Sequence, residues 1–249
     1  MFRETLTSKS LLNNINLNDT PEKLIKNFYE LTKYVGLDKD CDKTFDKIAA
    51  ILICNYKDKS ILPAVANAIF LRHRKGLFTH NLIWAFFEAR EPSSLNLIGS
   101  KLQSSNLKDI ELAEELLSFI PGINGYRNTT NLNKYLHFTN WLEDNELFLK
   151  YTGESFQLTT NPCPYTIIYP AKYICKRVSV DTGKPITSLT KYEFNLLDEF
   201  NKLNNDFQKL LSNFSYAVYR QNLYFWNTWI HSPIKSQIRS ARMGGIYYD

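Results

Sequence analysis

The sequence predicts an all-α protein, an array of short helix hairpins followed by a helical C-terminal part with one irregular excursion. Three observations carry this expectation. Residues 60–120 read as two consecutive pairs of amphipathic helices, ILPAVANAIFLRHRKG with THNLIWAFFEARE and PSSLNLIGSKLQSS with NLKDIELAEELLSFIP, each pair joined by a tight polar link. Apolar residues recur at three- and four-residue intervals through most of the remaining chain, the period of a helix with one buried face. Of the 249 residues 44% are hydrophobic and 22% charged, a balance that supports a packed core. Short helix pairs rarely bury their apolar faces alone; they stack on neighbours and leave a surface for docking.

The first 19 residues, ending NNINLND, read as an arm or short cap. Thr20-Pro21-Glu22 opens a helix, with Thr at the N-cap, Pro at the first helical position and an acid in the first turn. Leu24, Phe28, Leu31 and Val35 follow at helical spacing, and Gly36 stops the helix. A second helix is predicted from about residue 42 to 56, burying Phe45, Ile48, Ala49, Leu52 and Ile53. In the third, Ser60 caps and Pro63 lies in the first turn, where its missing N–H costs nothing. Val65, Ala68, Ile69 and Leu71 face inward there, and Arg72-His73-Arg74-Lys75-Gly76 forms a basic exit. Thr79 caps the fourth helix, with Leu82, Ile83, Ala85, Phe86 and Ala89 packing; Pro92 breaks it and Ser93 or Ser94 restarts. Leu95, Ile98 and Leu102 make the fifth stripe, with Gly99 on the same side. A glycine inside a helix costs about 1 kcal/mol of propensity, so close approach of a neighbouring helix is expected at Gly99. The sixth helix uses Leu107, Ile110, Ala113, Leu116, Leu117 and Ile120 and ends at Pro121-Gly122.

The run WAFFEAREPSSLNLIGSKLQSSNLKDIELAEELLSFI resembles HEAT-like repeats, in which paired helices stack into a curved array. The resemblance covers about residues 60–120, with residues 20–56 as an earlier, degenerate unit, and implies an α-solenoid. The Asp and Arg that often ladder along the inter-helix turns of such repeats are not in place, and a non-repeating bundle of similar hairpins is the alternative.

After Gly125 the character changes. Thr129 or Thr130 begins the helical segment NLNKYLHFTNWLEDNELFLKY, with Leu132, Tyr135, Leu136, Trp141, Leu142 and Phe148 as apolar faces and Gly153 as its end. Residues 155–186 contain Pro162, Pro164, Pro170 and Pro185 and no helical period. TIIY and YICKRVSV are candidates for two short strands, with a turn at Asp181-Thr182-Gly183; the alternative, favoured by the prolines, is extended chain wrapped over a helical surface. Thr190-Lys191-Tyr192-Glu193 is a capping box opening the longest helical stretch. Phe194, Leu197, Phe200, Leu203, Phe207, Leu210, Leu211 and Phe214 recur at helical intervals, and the pattern continues through Val218, Leu223, Trp226 and Ile230 to Pro233, as one kinked helix or two abutting ones. The tail PIKSQIRSARMGGIYYD reads as a short basic helix and a glycine stop. The domain organisation expected is thus an arm over 1–19, a helical array over 20–122, and a helical region over 123–249 with its excursion at 155–186.

No motif for catalysis or metal binding stands out. His73 and His80 flank a turn at Gly76, and His137 and His231 are remote, so no zinc spacing is present. GxSxG, GxxxxGK and GxGxxG are absent, and Glu114-Glu115 and Asp198-Glu199 diverge by about 100° on their helices. Cys41, Cys54, Cys163 and Cys175 lack both metal and disulfide spacing. Cys163, between two prolines, is expected as a buried loop cysteine; the alternative is an exposed thiol whose pKa Lys172 or Lys176 lowers. Asparagine is frequent, and no function is read from it. Apolar runs are too short for a membrane helix and the N-terminus lacks a secretory pattern, so a cytoplasmic location, no membrane and no cofactor are expected.

Net charge is +5, and residues 155–249 hold 11 basic and 6 acidic side chains against 16 and 15 in residues 1–125. The candidate site is therefore basic and aromatic: Lys172, Lys176 and Arg177 in the excursion, with Arg220, Tyr224, Trp229, Lys235, Arg239 and Arg242 on or after the long helical stretch. Most of these rings are expected to pack on the preceding helices; the alternatives are that Trp, Tyr and Arg anchor a protein interface or that the same side chains bind phosphates and stack bases. The reading is a non-enzymatic scaffold for a protein partner, with nucleic acid as the alternative ligand.

Overall fold

A computed structural model describes residues 8–124, 130–155, 157–159 and 161–244. Among them the fold is all-α apart from one two-stranded sheet. The chain forms two compact units, Met1–Thr139 with Gly153–Pro164, and Asn140–Thr152 with Tyr165–Asp249.

The first unit holds α1 (Ser8–Asn13), α2 (Pro21–Leu31), α3 (Lys39–Ala50), α4 (Leu62–Arg74), α5 (His80–Glu88), α6 (Leu95–Gly99), α7 (Leu107–Leu116) and the start of α8 (Asn131–Asn145). α2 packs on α3 and α4 on α5; across these hairpins α3 meets α5 and α4 meets α7. From α2 to α7 the predicted stripes are buried with two exceptions: Leu71 is half-buried and Leu107 is exposed. α3 starts before residue 42 because the Asp38 carboxylate accepts from the backbone N–H groups of Asp40 and Cys41 at 2.9 and 3.1 Å. It continues as a π-helical turn, Ile51–Asn55, keeping Leu52 and Ile53 inside. Thr20, at a φ/ψ suited to an N-cap, and Thr79 make no side-chain cap bond. The close approach expected at Gly99 is that of Phe138 on α8, whose ring fills the space a Cβ would take.

Arg72 departs from its predicted place in a basic exit. It is 1% exposed, and its guanidinium donates to Asp46 Oδ1 at 2.7 Å and to the Asp42 carbonyl at 3.1 Å, with Asp42 Oδ1 at 2.9 Å. Asp42 Oδ1 also accepts from Gly36 N at 2.8 Å, which ties the end of the first hairpin turn to α3 and α4. A charged pair survives burial only with this density of partners.

The second unit holds the end of α8, β1 (Leu149–Tyr151), β2 (Tyr165–Ile167), α9 (Tyr169–Tyr173), α10 (Lys191–Asn201), α11 (Asn205–Gln221), α12 (Leu223–Ile230) and α13 (Ile234–Gly244). The segment predicted as helix to Gly153 stops at Asn145; Leu132 and Leu136 are exposed, and its last residues become β1. The alternative start at Thr129 lies outside the described residues. β1 pairs antiparallel with β2, in register Leu149↔Ile167 and Tyr151↔Tyr165, so only the first two residues of TIIY are strand, and their partner is not YICKRVSV. YICKRVSV begins at the end of α9, and its Val178 bridges to Pro185 across a turn in which Gly183 takes φ +70° and donates to Ser179 O at 2.8 Å.

The predicted capping box is present: Thr190 Oγ1 accepts from Glu193 N at 3.2 Å and Glu193 Oε2 from Thr190 N at 2.6 Å. The long helical stretch behind it is three helices. Asn204 Oδ1 accepts from Phe207 N at 3.0 Å and Asn222 Oδ1 from Phe225 N at 2.9 Å, so each asparagine starts a new helix. α9 sits at the centre of the unit against α11. Tyr173 stacks on Phe200 at 4.4 Å and donates from its hydroxyl to Gln237 Oε1 at 2.6 Å, within a cluster that includes Ile174, Leu211, Trp229, Ile230 and Ala241. Phe194, predicted inward, is exposed.

Candidate partner-binding face

Local folding divides the nine candidate residues into structural and accessible groups. Trp229 is 3% exposed, packs edge-on to Tyr173 at 6.2 Å and donates from Nε1 to Gln237 O at 3.4 Å, so it belongs to the core. Lys172 is 2% exposed; its ammonium donates to Asn145 Oδ1 and Asn213 Oδ1, both at 2.7 Å, and lies 5.9 Å from the Tyr216 ring centre. Burial pulls its pKa down to about 8, against the attraction of Asp144. Lys176 donates to Ser188 O at 2.7 Å and Glu193 Oε2 at 2.8 Å, bracing the capping box of α10. Arg220 is exposed but pairs with Glu143 Oε1 at 2.6 Å and Asp144 Oδ1 at 2.8 Å. Arg177 is exposed, on the loop after α9.

Tyr224, Lys235, Arg239 and Arg242 remain accessible, on α12 and α13. α13 turns Ile234, Gln237, Ile238 and Ala241 toward the unit's interior. Lys235, Arg239 and Arg242, at spacings of four and three, fall within about 60° of one another on its outer side. Arg242 lies over the Phe207 ring, 5.0 Å from its centre. In the first turn of α12 the chain exposes Leu223, Tyr224 and Phe225 consecutively, Tyr224 to 84%. Met243, in the last turn of α13, is 64% exposed. Between these turns lies a groove of about 340 Å³ whose walls include Phe214, Val218, Phe225, Ser240 and Gly244. Gly244 lets α13 close on α11, because a Cβ there would stand 2.5 Å from Phe214 Cε2. A second cleft, on the α10 side, places Glu199 and His231 with Lys235, and His231 stacks on Tyr192 at 4.6 Å.

A run without carboxylates marks this face in the sequence itself. Residues 207–244 contain Lys209, Arg220, Lys235, Arg239 and Arg242 and no Asp or Glu. The charge asymmetry of the C-terminal third is concentrated in three consecutive helices.

Elsewhere, burial and the Glu154 carboxylate raise the pKa of Cys163, opposite to an activated thiol. Burial also pushes Cys175 up to about 12. Among the described residues no group of three or more His, Cys, Asp or Glu side chains is placed to hold a metal, and no helix is long and apolar enough to cross a membrane. Comparison with family models, curated proteins and solved structures finds no match for the chain.

Proposed function

We propose that the protein is a helical scaffold that binds another protein through the exposed face of α12 and α13. The observation that carries this reading is the exposure of Leu223, Tyr224, Phe225 and Met243 around the groove that Phe225 and Gly244 both line. Exposed apolar side chains beside arginines match the composition of an interface core and its rim. In this proposal the first unit is the HEAT-like part, a reading supported by its successive hairpins and by the packing of α4 on α7.

Nucleic acid is the second reading, favoured by the cation stripe on α13 and the open Tyr224 ring. It is the weaker one because the second unit carries 12 basic and 9 acidic side chains, a small excess for phosphate binding.

The test starts from proteins cross-linked to the chain in its host, each purified and titrated by calorimetry. Tyr224→Ala and Phe225→Ala are expected to weaken a true partner at least tenfold without moving the melting temperature. Affinity unchanged in both variants would place the contact elsewhere. Phosphate binding would instead show a log–log salt slope near the number of contacts.

A further inference from the structure

Resting on that protein-binding reading, we infer that the groove between α11, α12 and α13 takes a large apolar side chain from an acidic segment of the partner, with Arg239 and Arg242 meeting the carboxylates. Phe214, Val218 and Phe225 give the groove walls that suit a ring or branched chain and carry no charge. The charge around it is one-sided. α11 from Phe207 onward, α12 and α13 contain no carboxylate, and Arg220 is neutralised by Glu143 and Asp144. Lys235 shares its cleft with Glu199, and Arg239 and Arg242 are the exposed arginines that α13 offers to an incoming anion.

The helix sets the spacing. At 100° per residue, a path around α13 from the groove wall at Gly244 passes Ser240, then Met243, and reaches Arg239 after 140°. That arc is about 12 Å at the helix surface, or roughly four residues of extended chain. The segment recognised therefore carries its apolar anchor about four residues from its acidic residues, with Met243 under the stretch between. The small net charge of the second unit favours this occupant over a nucleic acid, whose phosphates need a larger cationic surface.

Twelve-residue fluorescein-labelled peptides read by anisotropy against the full chain test the inference. One carries Trp and, four residues on, a Glu-Asp pair. A second replaces the acids with Gln and Asn, a third replaces Trp with Ala, and a twelve-nucleotide single-stranded DNA serves as competitor. The first peptide is expected to bind at least tenfold tighter than the second and third, and the DNA not to displace it. The double variant Arg239→Glu with Arg242→Glu is expected to lose at least tenfold, and Val218→Trp or Ser240→Phe, which fill the groove, to abolish binding while circular dichroism stays helical. Equal binding of the Gln/Asn peptide, binding that survives both groove-filling variants, displacement by the DNA, or no peptide binding overturns it. A purified partner that still depends on Tyr224 would then leave the protein-binding reading standing without this occupant; a partner insensitive to Tyr224 and Phe225 would remove the reading itself.

Discussion

Lys172 is a charge enclosed by neutral amides, and its protonation is tied to folding. Asn145 at the end of α8 and Asn213 on α11 hold the ammonium, and Asp144, Arg220, Tyr216 and Cys175 are the ionisable groups around it. Its pKa falls from 10.5 to about 8 on burial, so between these values the unfolded chain binds more protons than the folded one. Stability contributed by this group therefore rises with pH across that window. Cys175 and Tyr173, both raised by burial, act in the opposite sense once pH passes their unfolded values, from about pH 9 upward. From pH 7 to 9 the native chain is expected to gain about 1 kcal/mol relative to Lys172→Met, read as the difference in urea midpoints; parallel curves would show that the amine titrates normally. Arg72→Met is expected to cost about 3–5 kcal/mol, because it strands Asp46 and Asp42 beside apolar packing. Tyr224 and Trp229 looked equivalent in the sequence, two aromatics among cations on one helical stretch. Trp229→Ala should cost about 3–5 kcal/mol of stability, whereas Tyr224→Ala should stay within about 0.5 kcal/mol, since little packs on it.

At the scale of elements, the apolar stripes were readable because a 3.6-residue period is a local property, and the six N-terminal helices follow it closely. The stretch that the spacing allows as one kinked helix or two abutting ones is three helices, α10, α11 and α12. Periodicity runs through both breaks, and the side chains that start the next helix are asparagines, whose frequency in the chain does not mark which of them caps. Asn106, Asn204 and Asn222 each turn their side-chain oxygen to the backbone N–H two or three residues on. Asn222→Ala is expected to destabilise by about 1 kcal/mol in thermal unfolding. It should also blunt partner binding, because the first turn of α12 presents Tyr224 and Phe225; an unchanged melting curve would mean the cap is dispensable. Gly99→Ala, which by propensity alone gains about 1 kcal/mol, should lose stability instead, because Phe138 occupies the space of the new methyl. The β1–β2 pairing was half legible: TIIY has a strand's composition, but its partner lies 14 residues upstream of Tyr165, inside what local spacing marks as helix.

For the whole molecule, the sequence by itself determined the helical class, most of the inward faces from α2 to α7 and the basic bias of the C-terminal third, since each follows from composition and near-neighbour spacing. Phe86→Ala, at 1% exposure in α5, tests that inward register, with an expected loss of about 3–5 kcal/mol in chemical unfolding. Only the tertiary structure decided which of the basic and aromatic residues remain available. It buried Lys172 and Trp229, committed Lys176 and Arg220 to carboxylates, and left Arg177, Tyr224, Lys235, Arg239 and Arg242 outside. Burial and ion pairing depend on residues tens of positions away, such as Asn145 for Lys172 and Asp144 for Arg220. A helical period names the face a side chain occupies, and the packing of other helices on that face determines whether it meets solvent.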